Sequence, residues 1–66
     1  MNAQQQIAAA RIDGKQACAD YIKEFGWTDA RNYLNQQVPV GQKANLSNSM
    51  FGYWDGWTQK LAETMR

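Results

Sequence analysis

Histidine is absent from this sequence, cysteine and proline occur once each, and the net charge is only +1. Each scarcity closes a route. Without histidine, neither a serine nor Cys18 has the usual base to activate it, so triad chemistry is not expected. A lone cysteine cannot close a disulfide within the chain, and it cannot by itself build a tetrahedral metal site. The single cysteine and the lack of a basic, apolar leader in "MNAQQQIAAARIDG" fit a reducing cytoplasm. No segment approaches the ~18 apolar residues of a membrane span. Seven basic against six acidic residues give no broad electrostatic footprint for nucleic acid. Strand-like alternation and internal repeats are missing. The glycines do not spell a phosphate loop, since neither Gly41 nor Gly52 follows a predicted strand. The carboxylates Asp13, Asp20, Glu24, Asp29, Asp55 and Glu63 are scattered, and Asp20 and Glu24 read as a solvated face beside Lys23. An enzyme is not expected, and neither is a metal or a cofactor.

What remains is helix and aromatic surface. The 66 residues make one domain with a marginal core, which buries only ~60% of the unfolded chain's surface. A partner subunit is one remedy, so a homodimer is expected. The first segment runs from about Ala3 to Phe25, with Ile7, Gly14, Cys18, Tyr21, Ile22 and Phe25 on one side of a 3.6-residue helix. Ile12 and Ala19, with Ala8, form a second, narrower apolar strip for a second copy. Gly26 sits where a C′ glycine stops the helix. Cys18 reads as a small buried hydrophobe.

The second segment begins at Thr28, read as an N-cap with Asp29 in the first turn. Ala30, Tyr33, Leu34 and Val38 follow helical spacing, and Pro39 ends the element near Gln37. The loop "VPVGQKAN" follows. The third segment starts at Ser47 as N-cap, with Leu46 and Phe51 in staple positions. From there Met50, Trp54, Trp57, Leu61 and Met65 form one stripe. The fold expected is therefore all-α: a small three-helix domain of long helix, short helix, loop and long helix. The long helices are expected to pack antiparallel, with the short helix across one end.

The stretch "SMFGYWDGWTQKL", residues 49–61, poses the functional question. The Met50–Trp54–Trp57–Leu61 face reads as core. Gly52 and Gly56 lie one turn apart, off that face. They leave a smooth groove for another backbone, bordered by Asp55 and Gln59, or they relieve crowding between the tryptophans. Aromatic residues that the core cannot fully cover, Tyr53, Phe51, Trp27 and Tyr33, are candidate partner contacts. Arg31 and Arg11 join them, because interface hot spots favour Trp, Tyr and Arg. The candidate partner-binding set is thus Trp27, Arg31, Tyr33, Phe51, Gly52, Tyr53, Asp55, Gly56 and Gln59.

In size and style the chain is similar to small helical accessory proteins of phages and plasmids, some of which inhibit host machinery by binding it. The function this implies is a non-catalytic protein-interaction module, an inhibitor or adaptor. The alternative is a helix-turn-helix-like DNA-binding regulator. In that reading the third helix turns Asn48, Ser49, Gly52, Asp55, Gln59 and Lys60 outward, and Asn and Gln can read adenine edges. Its connection exceeds the usual 3–4-residue turn. Few cations, Lys60 and Arg66 with Arg31 and Lys43 nearby, are available for phosphates.

Overall fold

The computed structural model describes residues 2–38 and 46–65. The chain forms three helices, α1 (Ala3–Phe25), α2 (Trp27–Gln37) and α3 (Asn48–Thr64), with no strand among the described residues. The all-α class and the order of elements are as the sequence reads. Most of the connecting loop, including Pro39, Gly41 and Lys43, lies outside the described residues, as does Arg66.

Caps fix the ends. The Asn2 side chain accepts the Gln5 backbone N–H at 2.8 Å, and the Gln5 side chain accepts the Asn2 N–H at 3.2 Å. This reciprocal pair satisfies two donors that a helix start leaves orphaned. Ser47 caps α3 by accepting the Met50 N–H at 3.3 Å. At the other junction Gly26 adopts φ 99°, a conformation open to glycine and costly for other residues. Its N–H donates to the Ile22 carbonyl, and its carbonyl accepts the Ala30 N–H. One residue therefore ends α1 and begins α2. Thr28 does not cap, because the helix already starts at Trp27. Asp29 keeps its expected place in the first turn.

The long helices run parallel, which overturns the antiparallel expectation. Ile7 lies against Gly52, Arg11 against Gly56, and Lys15 reaches Glu63, so the numbers rise together along both helices. The chain reverses at Gly26 and again between residues 38 and 47, and two reversals return the third helix to the direction of the first. α2 runs antiparallel to α3: Trp27 bonds to Leu61, Trp57 bonds to Ala30, and Tyr33 packs on Trp54.

α3 is the central helix, and it is buried on two sides. Its small side, Gly52 and Gly56, meets α1 almost backbone to backbone. A Cβ on Gly52 would stand 2.5 Å from the Ile7 carbonyl oxygen and 2.9 Å from the Ala10 methyl. A Cβ on Gly56 would overlap the Arg11 carbonyl, and one on Gly14 of α1 would overlap the carbonyl of Tyr53. Small residues let helix backbones approach this closely. The other side carries Trp54, Trp57 and Leu61, buried with Cys18 and Ala30. Trp57 is 2% exposed, and its ring lies 5.3–5.5 Å from those of Trp54, Tyr21 and Tyr33. Its Nε1–H donates to the Ala30 carbonyl at 3.0 Å. The apolar stripe thus holds in its centre and fails at its ends. Met50, Met65, and Phe25 on α1 are exposed.

Cys18 is fully buried, and burial pushes its thiol up to about 11, against a smaller downward pull from Lys60. At pH 8 such a thiol holds about a hundredfold fewer thiolates than one at its ordinary value of 9. Alkylation by iodoacetamide, followed by mass spectrometry, is expected to be slow in buffer and fast in urea. Rapid labelling of the folded protein would contradict this placement. The linkage has a definite sign. A neutral thiol favoured in the native state contributes stability that is full below pH 9 and lost as pH rises through about 11.

Candidate functional site

Two outer helices packed on a central one leave a seam between them. Here that seam is aromatic. Tyr21 and Phe25 from α1, Tyr33 from α2, and Tyr53 and Trp57 from α3 line an open groove of about 430 Å³. The Tyr21 and Tyr33 rings stack at 5.1 Å and bridge the two walls. Tyr21 also packs on Phe25, ring centroids 4.7 Å apart. Phe25 is 56% exposed. Asp20 and Glu24 stand on the α1 wall. Beyond Tyr53 a second hollow of about 330 Å³ continues toward the start of α1, between Gln6, Ala10 and Asp13 on one side and Met50 on the other. Tyr53 lines both. Burial raises the pKa of its hydroxyl, and Tyr33 and the charge of Asp13 add to the rise.

The expected partner residues other than Phe51 fall in three places. Tyr33 and Tyr53 are in the groove. Trp27 and Arg31 lie at the junction of α1 and α2. There the Trp27 Nε1–H donates to the Leu61 carbonyl at 2.9 Å, and the Arg31 guanidinium sits 5.6 Å from the Trp27 ring. Gly52, Gly56, Asp55 and Gln59 belong to the α1–α3 contact. The smooth groove expected at the glycines is filled by the protein's own first helix, so Gly52 and Gly56 are buried and offer nothing to a partner. Asp55 and Gln59 are engaged in the same contact. Arg11 Nε donates to Asp55 Oδ2 at 2.7 Å, and Gln59 Nε2 donates to the same oxygen at 3.1 Å. Arg11 is thereby drawn to α3, as is Lys15, whose Nζ donates to Glu63 at 2.6 Å and holds that carboxyl below its ordinary pKa. Phe51 is half-buried and is not among the residues lining the groove.

The sequence places Tyr21 and Phe25 on the apolar side of the first helix and Asp20 and Glu24 on a solvated face, and it names none of the four as a partner contact. Their signal is the spacing 17, 20, 21, 24, 25, a helical stripe on which apolar and acidic residues alternate. Among the described residues no group of three or more His, Cys, Asp or Glu side chains is placed to hold a metal ion. No helix among them is long and apolar enough to cross a membrane. The chain matches no known protein family model, no curated protein and no solved structure. The site itself therefore carries the functional argument: an aromatic trough with a carboxylate rim is suited to holding another chain.

Proposed function

We propose that the protein is a non-catalytic protein-binding module, an inhibitor or adaptor, whose partner covers the aromatic groove between α1 and α2. One observation carries this reading: Phe25 stands 56% exposed beside half-buried Tyr21, Tyr33 and Tyr53. Aromatic residues gathered in a concave site are the side chains that interfaces rely on most. A DNA-binding role has less support. α2 and α3 run antiparallel, whereas a helix-turn-helix crosses its helices at roughly 90–120°. Gly52 and Asp55, two residues of the supposed recognition face, point into α1.

The experiment is affinity capture from a lysate of the source organism, alongside a labelled DNA duplex. The expected result is a protein retained in near-equal amount and resistant to high salt. Retention of the duplex instead, with affinity falling steeply as salt rises, would overturn the reading.

Self-association is a separate expectation with its own surface. Ile12 is 70% exposed, with exposed Ala8 and half-buried Ala19 beside it, on a side of α1 away from the groove. Light scattering at micromolar concentration is expected to give about twice the 7.5 kDa chain mass, and Ile12→Arg is expected to return the monomer. A monomer in the unsubstituted protein at high concentration would refute this.

A further inference from the structure

We infer that the occupant of the groove is a cationic amphipathic helix of the partner, with Lys or Arg side chains against Asp13, Asp20 and Glu24. Its apolar side chains would rest on Tyr21, Phe25 and Tyr53. This rests on the protein-binding reading and adds the chemistry of the partner.

The charges on α1 are sorted by face. Arg11 and Lys15 are turned to α3 and consumed in ion pairs with Asp55 and Glu63. Asp13, Asp20 and Glu24, at i, i+7 and i+11, follow the groove side. None of the three forms an ion pair among the described residues, and Asp20 receives only the neutral amide of Gln16. Lys23 borders Asp20 and Glu24 on their outer side and pairs with neither. A protein of net charge +1 therefore presents a negative edge along its main apolar trough. That edge repels a polyanion and attracts a cation, and a cation above an aromatic face is further favoured.

The length of the trough suits a helix. From Phe25 to Gln6 the α1 wall extends about 28 Å at 1.5 Å per residue. A partner helix of about five turns fills it, with apolar anchors at i, i+3, i+4 and i+7 in the manner of helix-in-groove recognition. A second copy of this chain does not supply that pattern. Among the described residues its cations outside ion pairs, Lys23, Arg31 and Lys60, are spread over three helices and form no stripe.

The probe is a synthetic Leu/Lys peptide of about 18 residues, long enough for five helical turns, with leucine at the anchor spacing. It is titrated into isotopically labelled protein and followed by amide chemical shifts. Shifts are expected at Asp13, at residues 20–25, at Tyr33 and at Tyr53, and are not expected to centre on Ile12. The Asp20→Lys/Glu24→Lys variant changes only exposed residues, and circular dichroism is expected to show it folded. It should bind the Lys peptide about tenfold more weakly, and it should gain binding to a Leu/Glu peptide that the unsubstituted protein ignores.

Failure of the Lys peptide to bind, equal binding by the variant, or shifts centred on Ile12 would each overturn the inference. So would groove shifts produced by diluting the protein alone, which would make a second copy the occupant. If lysate capture retains a protein while the peptide fails, the binding-module reading stands and the cationic-helix inference falls.

Discussion

Gly56→Ala is expected to lower the melting temperature, although alanine is the better helix former by about 1 kcal/mol. The new methyl would overlap the Arg11 carbonyl, which is part of the α1 backbone and cannot rotate away as a side chain can. Overpacking of this kind costs about 1–3 kcal/mol and sometimes more, so it outweighs the gain in propensity. Gly14→Ala meets the Tyr53 carbonyl in the same way and should behave alike. For a domain of this size each lost kcal/mol lowers the midpoint by about 4–8 °C. Gly26 supplies the contrast. A Cβ there meets nothing within 4 Å, but φ is 99°, so Gly26→Ala is expected to be destabilising through backbone strain alone. Its cost is of order 1 kcal/mol. Thermal melts by circular dichroism compare all three. A raised midpoint in Gly56→Ala would mean that α1 and α3 do not meet at these glycines. Gly56→Leu puts a larger side chain against the same Arg11 carbonyl and is expected to prevent folding.

The second large effect is at Trp57. Its indole packs against the rings of Tyr21, Tyr33, Tyr53 and Trp54 and bonds to the Ala30 carbonyl, so it joins α3 to both outer helices. Truncating a buried tryptophan to alanine costs about 3–5 kcal/mol. At ~0.05–0.15 kcal/mol per residue, a chain of 66 residues has about 3–10 kcal/mol in total, so this loss removes most of it. Trp57→Ala is therefore expected to be largely unfolded at room temperature. Trp57→Phe keeps a ring in the cluster but loses some packing and the indole hydrogen bond, a bond usually worth about 0.5–1.5 kcal/mol. It should remain folded with a lowered midpoint. A stable, cooperative Trp57→Ala would contradict the placement of this residue at the centre.

Much of this fold can be read from sequence because the signals are local. Ser47, the Phe25–Gly26 step and the Val38–Pro39 step mark helix ends by chemistry acting within one turn. "NAQQ" carries the reciprocal cap of α1 just as locally, in the spacing Asn2 to Gln5. The period of Trp54, Trp57 and Leu61 marks their burial correctly. What the sequence hides is which helix meets which face. The glycines of α3 do lie off the tryptophan side, but whether they face solvent, a visitor or α1 depends on chain direction, and that is fixed by two reversals rather than by any residue on α3. Direction also decides the site. Once α1 and α3 are parallel, Arg11 finds Asp55, Lys15 finds Glu63, and the remaining carboxylates of α1 are left along the groove. The stripe of Asp20, Tyr21, Glu24 and Phe25 is visible in the sequence only as a mixed face. It becomes a wall when Tyr33 and Tyr53 stand opposite.

The central claim is that binding resides in this groove. The most direct test is to repeat the lysate capture with the protein as it is, with Phe25→Ala, with Asp20→Lys/Glu24→Lys and with Ile12→Arg. Phe25, Asp20, Glu24 and Ile12 are all exposed, so folding is expected to persist in each. The result expected is a partner retained by the unsubstituted protein and by Ile12→Arg, and lost from both groove variants. A partner kept by the groove variants and lost from Ile12→Arg would contradict the claim and move the functional surface to the opposite side of α1.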